Sequence, residues 1–289
     1  MEQTGKPPEN IPPDLWGAYT MGQSIPVFRW YFDDRSSGEK LHIPLAEYDR
    51  VFAELDAGTF SYYGNEVQSF YGAFTKYPVA DKKALIWGLI ACNCDAMAVR
   101  EGAEHVWAVD YNPVVSDHPK VTGLSHAELA ELPFRFDYAI SYSSFEHDGL
   151  GRYGDPLNPD GDLEAMRTAW EYLAPGGILL LGIPLGADAL VWNAHRIYGP
   201  LRLPLMLRGF SLLDVFSVYP GLDFGQERLG ELYQALMVLR KRMPEEDAKS
   251  ALFERLRYAR ALAKDTPRGL ANGRLLQAIL EMQFNSEIF

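Results

Sequence analysis

The architecture of this chain is set by four short apolar runs: KALIWG (83–88), HVWAVD (105–110), FDYAISY (136–142) and ILLLGIP (178–184). Runs of this length and composition predict buried β-strands. Helical patterns at 96–101 and 162–173 separate them. Strands that alternate with helices pair in parallel and carry helices on both faces. The sequence therefore predicts an α/β fold with a doubly wound, mostly parallel sheet.

Three zones follow from this central pattern. We expect an aromatic-rich helical cap at 1–80, a Rossmann-like domain at 81–242, and a C-terminal helical extension packed on that domain at 243–289. The cap is predicted to cover one edge of the sheet, and a further role as a lid over an active site stays open. Beyond 185 we expect a loop at 188–210, strands at 212–218 and 235–239, and helices at 245–264 and 270–282.

The charge composition of the chain argues against nucleic acid and membranes as binding partners. The 289 residues include 27 Lys and Arg against 39 Asp and Glu, a formal net charge of −12. Such a balance repels phosphate backbones and anionic lipid, so we expect neither nucleic acid nor a membrane as partner. Cys92 and Cys94 cannot form a disulfide framework, and residues 1–13 lack the apolar core of a signal peptide. We expect a cytoplasmic protein, with a homodimer left open as a minority alternative.

The predicted strand ends carry the residues that suit a nucleoside ligand. In doubly wound sheets, ligands bind beyond the carboxyl ends of the strands, where the strand order reverses. The segment 88–95 follows the first strand and leads into a helix. Asp110 ends the second strand, where a carboxylate can accept hydrogen bonds from both ribose hydroxyls. A structural role for Asp110 in the turn at 112–113 is the alternative.

The order of these features over about 82–185 resembles the class I S-adenosylmethionine-dependent methyltransferases. The shared features are a glycine loop, an acid after the second strand, an ELPF turn, FDYAISYSSFEH, and a helix followed by LAPGGILLLGIP. The resemblance implies a seven-stranded Rossmann-like sheet, with 235–239 as its antiparallel seventh strand, and S-adenosylmethionine as cofactor. It implies that the cofactor is bound by Gly88, Ile90, Ala91, Asp110, Tyr111, Ser125, His126 and Ser143. The family's loop usually carries three spaced glycines, whereas this chain keeps only Gly88.

Two longer strings give a narrower resemblance. SSFEHDGLGRYGDPLNPDGD begins at Ser143 and WNAHRIYGPLRLPL begins at Trp192. Both are similar to an uncharacterised, methyltransferase-like family first described from Caenorhabditis. That family has no firmly assigned reaction.

The loop after FDYAISY is dense in polar side chains and is the predicted reactive centre. His147 is the candidate general base, with Glu146 or Asp148 to orient it. Packing beneath the cofactor is the structural alternative for this pair, and Asp162 is well placed as a helix N-cap. The acidic residues of this loop also suit a divalent metal, although no metal site is expected because their spacing matches no fixed motif.

The segment after ILLLGIP is predicted to face the acceptor. Aromatic and polar side chains together suit a sugar, because a ring face stacks while its rim hydrogen-bonds. The candidate substrate-binding residues are Arg152, Tyr153, Trp192, Asn193, His195, Arg196 and Tyr198. The sequence thus predicts methyl transfer to an oxygen of a saccharide or another small hydroxylated molecule. The alternative is a changed reaction, metal-assisted or limited to ligand binding, that uses the altered 88–95 loop.

Overall fold

A computed structural model describes most of the chain. The described residues are 6–35, 39–59, 64–89, 91–218, 224, 233–243, 254–259 and 267–288, with side chains of the last helix described over 271–286. The candidate cofactor residue Ile90 lies outside them, as does most of the helix predicted at 245–264.

Helices and strands alternate along the described residues. The helices are α1 (Trp16–Tyr19), α2 (Leu45–Asp56), α3 (Val67–Lys76), α4 (Cys94–Arg100), α5 (His126–Ala130), α6 (Gly161–Tyr172), α7 (Leu203–Met206), α8 (254–259) and α9 (Pro267–Ile288). The strands of the first half are β1 (Val27–Arg29), β2 (Leu41–Ile43), β3 (Lys83–Trp87), β4 (His105–Val109), β5 (Val114–Ser116) and β6 (Val121–Leu124). Those of the second half are β7 (Phe136–Tyr142), β8 (Leu173–Pro184), β9 (Ala189–Trp192), β10 (His195–Ile197), β11 (Phe210–Phe216) and β12 (Gln234–Lys241).

A seven-stranded sheet forms the centre of the molecule, in the order β11-β12-β8-β7-β3-β4-β6. Strand β12 runs antiparallel to both of its neighbours, and the other pairings are parallel. This arrangement confirms the predicted doubly wound α/β class and the antiparallel late strand. From β3 the chain first builds outward to β4 and β6, then crosses back to β7 and β8. The strand order therefore reverses between β3 and β7, where the carboxyl ends leave a crevice.

Alternate side chains of the central strand β3 pack into two separate cores. Leu85 and Trp87 belong to a core shared with α6 and α9, whereas Ala84 and Ile86 belong to one shared with α2, α3 and α4. Successive strand residues point to opposite faces, so both faces of the sheet are covered by helices. Burial of these apolar faces is the main favourable term in folding.

The predicted loop at 188–210 is wrong, because it contains β9, β10 and α7. Strand β9 pairs in parallel with β1, with Val27 opposite Leu190, and antiparallel with β10. The partner strand lies about 160 residues earlier in the chain, so no local pattern could reveal the pairing. This small sheet brings the N-terminal segment to the edge of the crevice.

The predicted N-cap role of Asp162 is also wrong. Helix α6 has Asp160 as its N-cap residue, and Asp162 is fully buried with its carboxylate paired to Arg202. The guanidinium draws the side chain inward, away from the helix end. Helix α6 ends at Tyr172, one residue before the end predicted at 173. The chain then enters β8 directly, and residues 175–177, from which the sequence predicts a helix stop and turn, belong to that strand.

Candidate cofactor and acceptor cavity

A cavity of about 540 Å³ opens at the carboxyl ends of the central strands. Gly88 follows β3, Asp110 follows β4, and Ser143 follows β7, so three neighbouring strand ends contribute to its lining. The cavity lies at the crevice where the strand order reverses, and its volume is typical of small-molecule sites.

Gly88 allows β3 and β7 to approach each other at the floor of the cavity. Its φ is +77°, and a Cβ at this position would lie 2.5 Å from Cβ and Oγ of Ser144. Its N–H donates to the carbonyl of Val109 at 3.1 Å. Both the backbone conformation and the close approach require glycine here.

Residues 93–95, at the end of the loop after β3, are fixed by a buried carboxylate. Tyr48 Oη donates to Oδ2 of Asp95 at 2.6 Å, and the N–H of Asn93 donates to Oδ1 at 2.7 Å. Asp95 is fully buried, and burial raises its pKa. Hydrogen bonds with the buried side chains of Asp95 and Tyr48 thus fix this part of the loop. Ala91 belongs to the loop and lies outside the cavity lining.

Asp110 has the structural role in the turn and also lies in the cavity lining. Its Oδ1 accepts the N–H of Asn112 at 2.9 Å, which shapes the turn after β4, and the residue also lines the cavity. Burial raises the pKa of its carboxyl. The next residue, Tyr111, donates its hydroxyl to Oδ1 of Asp148 at 3.0 Å.

His147 lines the cavity as a neutral imidazole. Its Nδ1 lies 2.6 Å from the carbonyl oxygen of Ala194. Because a carbonyl can only accept, Nδ1 carries the proton and Nε2 presents a lone pair. Burial lowers the pKa of the ring to about 3. The ring is therefore oriented by a backbone carbonyl, and Oε1 of Glu146 lies 3.8 Å from Nε2.

The pKa values of the two neighbouring carboxyls are raised, whereas the pKa of His147 is lowered. Glu146 is fully buried, and burial raises its pKa to about 8. Burial raises the pKa of Asp148 to about 7. The amide of Gln234 donates to Oε1 of Glu146 at 3.2 Å and to Oγ of Ser143 at 3.1 Å. Sequence reasoning missed Gln234, which begins β12 and also lines the cavity.

The opposite side of the cavity is built from the N-terminal segment and the loop after β7. Arg152 pairs with Asp34 at 2.8 Å, and its guanidinium lies 4.3 Å from the ring centre of Phe32 and 5.0 Å from that of Tyr153. The Trp30 and Phe32 rings lie 5.2 Å apart. All five residues line the cavity.

His195 also lines this side of the cavity. Its ring lies edge-on to Trp30 at 6.3 Å and to His147 at 6.4 Å. Burial lowers its pKa to about 4, and its Nε2 is buried without a hydrogen-bond partner among the described residues. Buried polar atoms normally have hydrogen-bond partners, so this nitrogen stands out among the polar groups around the cavity.

A family profile matches more than half of this chain. The profile, described as "Caenorhabditis protein of unknown function, DUF268", covers residues 81–241. The chain belongs to this family. No curated protein matches the sequence significantly.

Three solved structures are similar to parts of this chain at low identity. A Burkholderia thailandensis 1,6-didemethyltoxoflavin-N1-methyltransferase, with its substrate and S-adenosylhomocysteine bound, is 18% identical with a TM-score of 0.46, over 68% of this chain and 88% of that chain. The N-methyltransferase NodS from Bradyrhizobium japonicum WM9, in complex with S-adenosylhomocysteine, is 13% identical with a TM-score of 0.41, over 69% and 99%. A putative hemolysin from Streptococcus thermophilus is 12% identical with a TM-score of 0.42, over 80% and 78%.

Within this family member, several predicted site residues lie outside the cavity lining. Arg196 is buried and donates to the carbonyl of Asp148 at 2.7 Å, while Tyr198 donates its hydroxyl to Asp162 at 2.9 Å. Arg196 thus holds the loop that carries His147, and Tyr198 holds the first turn of α6. Ser125 caps α5, with Oγ accepting the N–H of Glu128.

The remaining predicted residues lie close to the lining without joining it. The His126 ring is 6.1 Å from that of Tyr111, which does line the cavity. Trp192 donates its indole N–H to the carbonyl of Pro8 at 3.1 Å, and Asn193 binds the backbone of Phe32. These two residues position the N-terminal segment.

Two other kinds of feature are absent from the described residues. These residues contain no group of three or more His, Cys, Asp or Glu residues placed to hold a metal ion. None of the helices in the described part of the chain is both long and apolar enough to cross a bilayer.

Proposed function

We propose that this chain transfers a methyl group from S-adenosylmethionine to an oxygen of a small hydroxylated acceptor, with carbohydrates as the favoured class. The observation that carries the proposal is the cavity at the strand-order reversal, where Gly88, Asp110 and Ser143 from three neighbouring strand ends meet. The family assignment and the methyltransferase neighbours are consistent with it.

The residues at these strand ends fit the cofactor. Gly88 lets the backbone after β3 lie against Ser144 in the cavity lining, and Asp110 offers a carboxylate to the two ribose hydroxyls. The acidic groups Asp110 and Asp148 suit a ligand that carries a positive charge. When bound, S-adenosylmethionine supplies an electrophilic methyl group on its sulfonium.

His147 is the proposed partner of the acceptor hydroxyl. The carbonyl of Ala194 fixes its ring, so the Nε2 lone pair can accept a hydrogen bond from a hydroxyl group. Because its pKa is about 3, the ring orients the hydroxyl rather than removing its proton in advance. Orientation of a nucleophile in line with an activated methyl group supplies most of such a rate enhancement.

The first test measures cofactor binding by isothermal titration calorimetry with S-adenosylmethionine and S-adenosylhomocysteine. We expect micromolar binding by the wild type and at least a tenfold loss in Asp110→Ala. Asp137→Ala is the matched control, because Asp137 is exposed near the amino end of β7, where it accepts the N–H of Lys83. Absence of binding by the folded wild type, or equal losses in both variants, would overturn the proposal.

The second test identifies the atom that is methylated. Candidate acceptors are incubated with the protein and isotope-labelled S-adenosylmethionine, and products are examined by mass spectrometry and NMR. A methyl ether supports the assignment to oxygen. An N-methyl product would retain the cofactor and refute the oxygen assignment.

A further inference from the structure

The cavity has one wall that the cofactor-binding strand ends do not build. We call the side chains of Trp30, Phe32, Asp34, Arg152 and His195 the acceptor wall. Its N-terminal part is held in place by backbone pairing of β1 with β9 and by Asn193. The Asn193 amide accepts the N–H of Phe32 at 2.8 Å and donates to the carbonyl of Phe32 at 2.9 Å. The wall is therefore a positioned surface rather than a loose tail.

The charge of the cavity disfavours anions. Arg152 is the single Lys or Arg in the lining that the structure describes. Its Nε donates to Asp34 at 2.8 Å and its Nη1 to the carbonyl of Ala194 at 3.4 Å, so its guanidinium is already engaged. Asp110 and Asp148 add further carboxylates to the same lining. A phosphate or carboxylate on the acceptor would meet repulsion without a free cation to offset it.

The unpartnered nitrogen of His195 selects for a different group. Nε2 is buried, and it needs a donor or an acceptor according to the tautomer of the ring. A hydroxyl satisfies either case because it both donates and accepts. An anionic oxygen can only accept a hydrogen bond, so it would pair with Nε2 only in the tautomer that carries the proton there. It would also bring negative charge toward the carboxylate of Asp34.

Trp30 supplies the apolar part of the wall. Its side chain is 53% exposed although it lines the cavity, and its ring lies against those of Phe32 and His195. An exposed indole beside polar groups offers a surface on which the apolar face of a sugar ring can stack.

Resting on the methyl transfer proposed above, we propose that the acceptor wall binds an uncharged polyhydroxylated molecule, such as a neutral glycoside. One hydroxyl of this molecule hydrogen-bonds to His195 while its ring face stacks on Trp30. The same wall rejects the phosphorylated form of the molecule.

The test compares neutral and phosphorylated sugars as ligands. The probes are the methyl glycosides of glucose, galactose and mannose and the 6-phosphates of the same methyl glycosides, titrated into the full-length protein at pH 8 with S-adenosylhomocysteine present. Ligand-observed NMR gives the affinities. We expect at least one neutral glycoside to bind, and its 6-phosphate to bind at least tenfold more weakly. Equal or tighter binding of the phosphate, or no glycoside binding, overturns the proposal.

Two variants locate the binding site. Trp30→Ala should weaken glycoside binding at least tenfold, whereas Trp16→Ala, which removes an indole 42% exposed in α1 and outside the lining, should not change it. Asp34→Asn frees Arg152 from its carboxylate and should reduce the discrimination against phosphate at least tenfold. Equal effects of the two tryptophan variants, or unchanged discrimination in Asp34→Asn, would refute the wall as the acceptor subsite.

The calorimetry described above separates this inference from the proposed function. Glycoside binding without S-adenosylhomocysteine binding would refute the methyl transfer and leave the subsite supported. S-adenosylhomocysteine binding without glycoside binding would refute the subsite alone.

Discussion

Glu146 accepts a hydrogen bond from the cavity residue Gln234, and its carboxyl is mainly neutral at neutral pH. Burial raises the pKa of its carboxyl from 4.5 to about 8. Between these two values the folded chain keeps a proton that the unfolded chain has released, so the stability of the fold decreases as the pH rises. This single group contributes a slope of up to about 1.4 kcal/mol per pH unit, which levels off above about pH 8.

Glu146→Gln should remove that slope. The amide keeps the shape and the polar contact with Gln234 but does not titrate. We expect the melting temperature of the variant to exceed that of the wild type at pH 8, with a difference that shrinks toward pH 5. Thermal denaturation from pH 5 to 8 measures this, with the exposed Glu164→Gln as control. Parallel pH profiles for wild type and Glu146→Gln would contradict the assignment.

Gly88→Ala tests the floor of the cavity. The new Cβ would lie 2.5 Å from Ser144 and would occupy a backbone conformation with φ of +77°. We expect a loss of about 1–3 kcal/mol in unfolding free energy and a weaker affinity for S-adenosylhomocysteine. Gly17→Ala is the control, because a Cβ there meets no atom within 4 Å. If Gly88→Ala had the same affinity for S-adenosylhomocysteine and the same unfolding free energy as Gly17→Ala, the close approach of Ser144 would have no effect on binding or stability.

At the scale of elements, the parallel strands could be predicted from sequence because each is a short apolar run bounded by turn residues. The candidate residues Gly88, Asp110 and Ser143 follow from the same reasoning, since they come directly after β3, β4 and β7. Gln234 was missed because β12 is antiparallel, so its first residue, rather than its last, lies at the cavity edge. The rule that ligands meet carboxyl ends covers only the parallel strands.

The small sheet formed by β1, β9 and β10 could not be predicted, for a different reason. Three-residue strands have weak patterns, and the pairing joins segments far apart in the chain. The aromatic residues of 1–80 predicted a packed layer and left a lid over an active site open. The place of Trp30 and Phe32 in the cavity wall depends on that pairing.

Asn193→Ala should loosen this small sheet from its partner segment. The variant leaves the N–H and the carbonyl of Phe32 without their side-chain partners, at a cost of about 1–3 kcal/mol for each group that stays buried. We expect a lower melting temperature and faster proteolytic cleavage within 27–35. Asn10→Ala, an exposed position in the same segment, serves as control. Unchanged cleavage would show that Asn193 does not anchor the segment.

At the scale of the whole molecule, one buried ion cluster joins the loop after β7, helix α6 and the segment from β10 to α7. Arg202 binds the two carboxylate oxygens of Asp162 at 2.5 and 2.8 Å, and Arg196 lies 3.6 Å from the same carboxylate. Burial alone would raise the pKa of Asp162, but the two guanidinium groups outweigh it and the pKa is lowered. The division of the chain into cap, central domain and extension stays a prediction.

Asp162→Asn should destabilise the entire fold. Removal of the carboxylate leaves buried guanidinium charge without its partner, which costs about 3–5 kcal/mol. Urea denaturation should show a lower midpoint with an unchanged slope. Asp160→Asn is the matched control, since that side chain is 65% exposed and lies 3.4 Å from the same Arg202, and it should cost less than about 1 kcal/mol. Similar losses in both variants would contradict the role of burial.

The acceptor wall also has a consequence for how such proteins diversify. Trp30, Phe32 and Asp34 precede the segment 81–241 that defines the family, whereas Gly88 and Asp110 lie within it. Three of the five wall residues thus lie upstream of this segment, whereas Arg152 and His195 lie within it. Under the proposed function, recombination upstream of residue 81 would exchange the stacking surface of Trp30 and the charge of Asp34 in one event and leave Gly88 and Asp110 unchanged.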